Sequence, residues 1–80
     1  MKATNLFKEL GYIQNRNDDD YIIYSKTLKN DIKKEVLFSY QLQNFKVYYE
    51  DVIHSEQYPS VDMRLFNAIQ HQLLELRWIM

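Results

Sequence analysis

The C-terminal stretch of the chain, residues 61–80, reads VDMRLFNAIQHQLLELRWIM and is long and regular enough to predict a helix from its pattern alone. At 100° per residue, its apolar side chains fall within one arc of roughly 100°. The members of this arc are Leu65, Phe66, Ile69, Leu73 and Leu76. Opposite them lie Arg64, Asn67, His71 and Glu75. The pattern therefore predicts an amphipathic helix that covers a core.

The start of this helix is marked by two candidate capping residues. Either Ser60 or Asp62 can accept hydrogen bonds from the first amides of the helix. The Asp62 carboxylate also suits the positive end of the helix dipole. We expect the helix to close near Leu76, with residues 77–80 as a last turn or an apolar tail.

The N-terminal half predicts a short helix followed by a hairpin. The helix covers residues 4–10, with Thr4 or Asn5 as its cap and Gly11 in the left-handed C-terminal position. Two turns are not stable alone, so its apolar face must dock on the same core. Strands are predicted at 12–14 and 21–27, because both segments are rich in Tyr and Ile and are separated by six polar or charged residues.

A second hairpin is predicted from the alternation of apolar and polar residues at 35–42 and 45–53, with Gln43 and Asn44 in a tight turn between them. One side of the first of these strands carries Val36, Phe38, Tyr40 and Leu42. The order helix, hairpin, hairpin, helix predicts an α+β fold. It is a four-stranded antiparallel β-meander with the short N-terminal helix and the long C-terminal helix packed on one face, in a single domain of residues 1–80.

Composition restricts the function classes. The net charge is −1, so no overall field attracts nucleic acid, an anionic membrane or an acidic substrate. The absence of Cys excludes disulfides and thiolate chemistry and favours a reducing, cytoplasmic location. No signal peptide or membrane-spanning stretch is recognisable. A soluble protein that finds its partners by local shape is expected.

Catalytic, cofactor-binding and metal-ligating residues are not predicted. One Gly and one Pro leave no glycine-rich phosphate loop. His54 and His71 are seventeen positions apart in the sequence and lack partners at metal-ligand or triad spacing. The three consecutive Asp residues at 18–20 lack the spacing of a calcium loop and are interpreted as a hairpin loop.

Two surfaces are candidates for contact with a partner. The sheet face away from the helices is expected to carry tyrosines, among them Tyr24 and Tyr48, which combine apolar area with a hydroxyl group. On the C-terminal helix, Met63, Gln70 and Leu74 lie away from the core arc, and Trp78, Ile79 and Met80 add apolar area at the tail. This second strip either pairs with a symmetry mate or forms the half-covered rim of the core.

Three segments together resemble a family of small proteins encoded by bacteriophages and prophages of Gram-positive bacteria. They are LFKELGY at 6–12, YIIYSK at 21–26 and MRLFNAIQHQLLEL at 63–76. In that family the last helix commonly closes with Leu-Gly-Trp. Here Arg77 replaces the glycine, which argues against a left-handed cap and for a helix that runs to the end of the chain.

The resemblance and the missing catalytic groups predict a non-enzymatic, phage-type accessory protein that binds a host or phage protein in the host cytoplasm. The first alternative is a single-stranded nucleic-acid-binding module that uses the tyrosine-rich sheet face. It is disfavoured because the charges are balanced and the basic rim of such modules is missing. The second alternative is a self-associating structural or virion component, such as a homodimer. No cofactor and no membrane contact are expected.

Overall fold

The computed structural model describes residues 2–50 and 59–79, and within them it confirms the predicted α+β fold. The described part of the chain contains two α-helices, four strands and one short 3-10 turn at Lys29–Asp31. The helices are α1 (Ala3–Glu9) and α2 (Met63–Glu75). The strands are β1 (Ile13–Asn17), β2 (Tyr21–Thr27), β3 (Lys33–Ser39) and β4 (Asn44–Glu50).

The strands form one antiparallel sheet in the order β1-β2-β3-β4, as predicted. In the central pair, Ile22 lies opposite Phe38 and Tyr24 lies opposite Val36. Strand β1 is longer than predicted and contains a bulge between Gln14 and Arg16. The part of the last predicted strand beyond residue 50 lies outside the described residues.

Strand β3 ends earlier than its alternating pattern predicts. It ends at Ser39, and a four-residue turn at 40–43 leads into β4. Gln43 adopts a positive φ of 50° in this turn, and the Ser39 hydroxyl accepts a hydrogen bond from the Leu42 amide. Leu42 is consequently 64% exposed, so its predicted place on the core side of the strand was wrong.

Both helices pack on the same face of the sheet and share one core. Alternate residues of β2 and β3 point toward the helices and are almost completely buried. Phe7 of α1 stacks on the Tyr24 ring, with 3.9 Å between ring centroids, and packs edge-on against Phe38. Aromatic pairs of this kind add to the stabilisation from burial alone. The short α1 helix is thus anchored mainly through Phe7, with Ala3 also buried and Leu6 packed against the core.

Helix α2 is rotated by about 60° relative to the orientation predicted from its hydrophobic arc. Leu65 and Ile69 are buried as expected, at 3% and 1% exposure, but Phe66 is 45% exposed. Ala68 and Gln72 take its place in the core. In this orientation Gln72 Oε1 accepts a 2.5 Å hydrogen bond from the buried hydroxyl of Tyr24, which also lies within hydrogen-bonding distance of Thr4 and Gln14. A buried polar group must be paired, and we attribute the orientation of α2 to this pairing.

The N-terminal end of α1 is capped by a residue that the sequence did not indicate. Neither Thr4 nor Asn5 is its cap, because the helix begins one residue earlier, at Ala3. The Ala3 amide donates instead to Glu75 Oε2 on α2. At the other helix, the Asp62 side chain accepts from the Leu65 amide at 2.8 Å, which confirms one of the two predicted caps.

Both helices end in the same left-handed turn. Gly11, with φ +91°, follows α1 as predicted. Arg77 adopts φ +61° after α2, so the expectation that an arginine lets the helix continue was wrong. The Trp78 amide donates to the Leu73 carbonyl and the Arg77 amide to the Leu74 carbonyl, each at 3.0 Å. This pair of bonds is a Schellman motif, and its hydrogen bonds offset the strain of a non-glycine residue.

Candidate functional site

The predicted contact residues comprise one that is buried, two that are half-buried and two that are exposed. Tyr24 is fully buried between α1 and the sheet, so its assignment as a partner contact is corrected. The cause is its position in β2, where it alternates with Ile22 on the helix side. Tyr48 lies on the opposite face of the sheet and is half-buried. Met63 is 76% exposed and Leu74 is 44% exposed on α2.

The outward side of α2 is an apolar and amide surface, which we name the α2 strip. It consists of Met63, Phe66, Asn67, Gln70 and Leu74. On a helix of 100° per residue these positions extend from about 70° on one side to about 30° on the other side of the direction opposite the buried residues. Outward positions of a surface helix normally carry charged side chains. The strip carries none.

The charged and titratable residues of α2 are collected on one flank. Arg64, His71 and Glu75 all lie about 80–120° from Met63 around the helix axis. This flank faces α1, as shown by the hydrogen bond from the Ala3 amide to Glu75. The centres of protein interfaces are likewise depleted of charge and enriched in Met and aromatic residues. The composition of the α2 strip is therefore that of an interface centre.

A groove of about 310 Å³ runs between the C-terminal half of α1 and the first turns of α2. Its walls are mainly the apolar parts of two helices. It is lined by Leu6, Glu9, Leu10, Met63, Arg64 and Asn67. Since Met63 and Asn67 belong to both features, the groove is a lateral extension of the α2 strip.

A second apolar hollow, of about 330 Å³, lies at the other end of α2 beside the β3–β4 turn. It is lined by Gln43, Asn44, Phe45, Leu73, Trp78 and Ile79. The Schellman turn positions Trp78, whose ring packs edge-on against Tyr40 with 6.0 Å between centroids. Phe45 and Ile79 are each 39% exposed at its rim. Trp78 is half-buried here, so it supports this surface more than it projects from it.

The sequence reasoning missed Phe66 and Phe45 as members of the exposed apolar surface of α2 and its flanking hollows, whereas Ile79 belongs to the apolar tail that was predicted. Phe66 was assigned to the core because the calculation of the hydrophobic arc treats every apolar residue alike. The sequence nevertheless contains a pattern that indicates which side of the helix is exposed and uncharged. The charges of the helix are confined to one flank, while positions 63, 66, 67, 70 and 74 carry none.

A polar hollow of about 230 Å³ lies where α2 begins. Lys26, Lys34 and Arg64 line it together with the carboxylates of Glu9 and Asp62. Lys34 Nζ donates to the Ser60 carbonyl at 2.9 Å, and burial lowers the pKa of this lysine. The cations and carboxylates largely compensate one another, so the hollow offers no strong field for an anionic ligand.

The three consecutive Asp residues serve the β1–β2 hairpin. Asp18 Oδ1 accepts from the backbone amides of Asp20 and Tyr21, each at 2.9 Å, and Asp18 Oδ2 accepts from Arg16 Nε at 2.6 Å. These hydrogen bonds lower the pKa of Asp18 to about 2. Among the described residues, no group of three His, Asp or Glu side chains is placed to hold a metal ion. The interpretation as a hairpin loop is confirmed for Asp18.

The sheet face turned away from the helices, named here the distal face, carries a polar row across the strands. Asn15 Nδ2 donates to Ser25 Oγ, and Ser25 Oγ donates to Glu35 Oε2, both at 2.6 Å. Glu35 is only 7% exposed, and Tyr48 lies directly opposite it on β4. Burial, followed by the nearby Glu35 carboxylate, raises the pKa of Tyr48 to about 12. A carboxylate beside the tyrosine is unfavourable for stacking a phosphate-bearing strand.

No helix in the described part of the chain is long and apolar enough to cross a membrane. Comparisons with protein-family models, with curated proteins and with solved structures find no match.

Proposed function

We propose that the protein is a non-enzymatic binding module that docks on a partner protein through the α2 strip. The observation that carries this proposal is the position of the strip, which lies directly opposite the core and yet has no charge. Met63 and Phe66 are exposed at its one end and Leu74 at the other. Large apolar side chains in such a contiguous arrangement mark contact surfaces.

The size of the strip supports binding as well. A large apolar side chain carries about 200 Å² of surface. Met63, Phe66 and Leu74 are 76%, 45% and 44% exposed, which leaves roughly 300 Å² of them in contact with water. With the residues of the groove and the apolar hollow at its two ends, the surface stays below the roughly 800 Å² per partner of a standard interface and fits a small one.

We further infer from the resemblance to phage and prophage proteins that the partner is a host or phage protein in the cytoplasm of a Gram-positive cell. This part of the proposal rests on the three sequence segments named above. The nucleic-acid alternative has less support, because Tyr24 points into the core and Glu35 lies beside Tyr48 on the distal face. Binding of nucleic acid is one of the outcomes that the experiment below distinguishes.

The test is a pull-down from a Gram-positive lysate with the wild-type chain and two matched variants. Met63→Glu places a charge in the α2 strip. Ile13→Glu places the same charge on the distal face, at a residue that is 72% exposed and so closely matches Met63. We expect the wild type and Ile13→Glu to retain the same protein and Met63→Glu to lose it.

Equal retention by both variants would contradict a role for the strip. Retention of oligonucleotides by the wild type, with no specific protein, would favour the nucleic-acid alternative. Circular dichroism of the variants controls for folding, since both substitutions are at exposed positions and should leave the fold intact.

A further inference from the structure

We propose that a second copy of this chain occupies the α2 strip, with the two α2 helices packed antiparallel about a two-fold axis near Ile69 and Gln70. This inference rests on the proposed function, because it assigns to the same surface a second, weak occupant that a host or phage partner displaces in dilute solution. Isologous contacts of this kind are the commonest route to protein dimers. Charge, shape and a central polar residue independently give the same register.

The first argument is charge complementarity. Arg64 and Glu75 lie on the same flank of α2, near its opposite ends. A two-fold axis perpendicular to antiparallel helices brings equal flanks to the same side of the interface. Arg64 of each copy then lies opposite Glu75 of the other, and the midpoint between positions 64 and 75 falls at 69–70. A parallel pair places these flanks on opposite sides, where the charges do not meet.

The second argument is shape. The α1–α2 groove lies at the level of Met63 and Asn67, whereas Leu74 projects from the strip about 16 Å further along the helix at 1.5 Å per residue. In an antiparallel pair the two helices run in opposite directions, so the two ends of the strip exchange places in the partner. This arrangement sets Leu74 of one copy over Met63 and the groove of the other, and the midpoint of positions 63 and 74 falls at 68–69. The register from shape agrees with the register from charge to within about one residue.

The third argument concerns the residue at the centre of the strip. Gln70 is exposed and lies beside the axis. A glutamine amide has both donors and acceptors, so two symmetry-related copies can bond to each other reciprocally. Polar residues within an otherwise apolar helix seam fix register and orientation, at some cost in affinity, and of the two amides in the strip Gln70 is nearer the axis. Gln70 is placed to do this for the antiparallel pair.

The contact is small. Roughly 300 Å² of exposed apolar side chain per copy, with the groove residues added, corresponds to a weak interface near the low end of the range for specific complexes. After the cost of association, we expect a dissociation constant on the order of 10–100 µM. The chain should be monomeric in dilute solution and dimeric at high concentration.

The first experiment is sedimentation equilibrium of the full chain between about 2 and 500 µM. We expect the wild type to shift from monomer to dimer across this range. Leu74→Glu should weaken the dimer at least tenfold, whereas Ile13→Glu should not change it. A wild type that stays monomeric at 500 µM overturns the proposal.

Orientation is tested by disulfide trapping, for which the chain is well suited because it contains no Cys. Gln70→Cys places a thiol near the two-fold axis and should form a covalent dimer under mild oxidation. Met63→Cys should not, because antiparallel packing separates the two copies of position 63 by about 18 Å along the helices, far beyond the roughly 7 Å limit between Cα atoms. Fast cross-linking of Met63→Cys would show a parallel pair and overturn the inference.

The outcomes also separate this inference from the proposed function. A monomeric wild type whose lysate partner is lost in Met63→Glu would overturn the homodimer and leave binding of another protein through the strip intact. A monomer whose lysate binding is unaffected by Met63→Glu would overturn both.

Discussion

Substitution of Ile69 tests which face of α2 is inside. Ile69 is 1% exposed, so Ile69→Ala removes three carbon atoms from a closed core. Their transfer to water costs about 0.8 kcal/mol per carbon, and the cavity adds a further term, giving a loss of about 3 kcal/mol in the free energy of unfolding. For a chain of this length the whole stability is about 4–12 kcal/mol. The variant should therefore be folded but marginal.

Phe66→Ala is the matched comparison, because the hydrophobic arc predicts Phe66 to be as deeply buried as Ile69. The structure leaves Phe66 45% exposed. Because about half of the Phe66 side chain is already in water, its removal loses only about half of the free energy of burying a phenylalanine. Alanine also has the better helix propensity, so we expect the free energy of unfolding to fall by about 1 kcal/mol. Urea unfolding followed by circular dichroism at about 2 µM, where association is negligible, measures both values. Equal losses would show that α2 is turned as the arc predicts.

Three further perturbations test the turns and the buried polar pair. Arg77→Gly should raise the free energy of unfolding by about 0.5–1 kcal/mol, because glycine adopts the positive φ without strain; a loss in thermal melts would argue against the left-handed turn. Tyr24→Phe should cost about 1–3 kcal/mol in urea unfolding, because it leaves the Gln72 amide oxygen buried without a donor, and a neutral result would mean that water satisfies it. The pKa of Asp18 is about 2 in the folded chain against an ordinary 3.8, so its stabilising contribution is complete above pH 3.8 and is lost as the pH falls toward 2. Asp18→Asn should reduce the slope of stability against pH in this window, and an unchanged slope would contradict the role of its hydrogen bonds.

The sequence allowed the order of elements and the meander to be predicted, because alternation and helical periodicity are local patterns with strong physical causes. The rotation of α2 could not be predicted in the same way. It depends on the Tyr24 hydroxyl, which reaches Gln72 from a strand far away in sequence. The arc of apolar residues holds no information on such a partner.

The helix ends show the same division between local and long-range causes. Gly11 was predicted correctly, because its left-handed conformation is a property of the residue itself. Arg77 was predicted wrongly, since its conformation is imposed by the packing of Trp78 against Tyr40 and by the amide bonds to α2. The α1 cap was missed for a related reason, because Glu75 reaches Ala3 from the other end of the chain. Of the candidate contact residues, Met63 and Leu74 are exposed as predicted, because the helical period alone decides on which side of α2 they lie.

The rotation of α2 also connects the fold to the proposed binding surface. For a monomer judged by apolar burial alone, the better orientation places Phe66 inside and leaves Gln72 in water. The observed orientation does the reverse, and the buried Tyr24–Gln72 hydrogen bond holds it in place. The same orientation of α2 places Met63 and Leu74 directly opposite the core and Arg64 and Glu75 on one flank. The orientation of α2 that includes this hydrogen bond therefore produces both the apolar strip and the position of the charges beside it, which are the two features on which the proposed antiparallel pair depends.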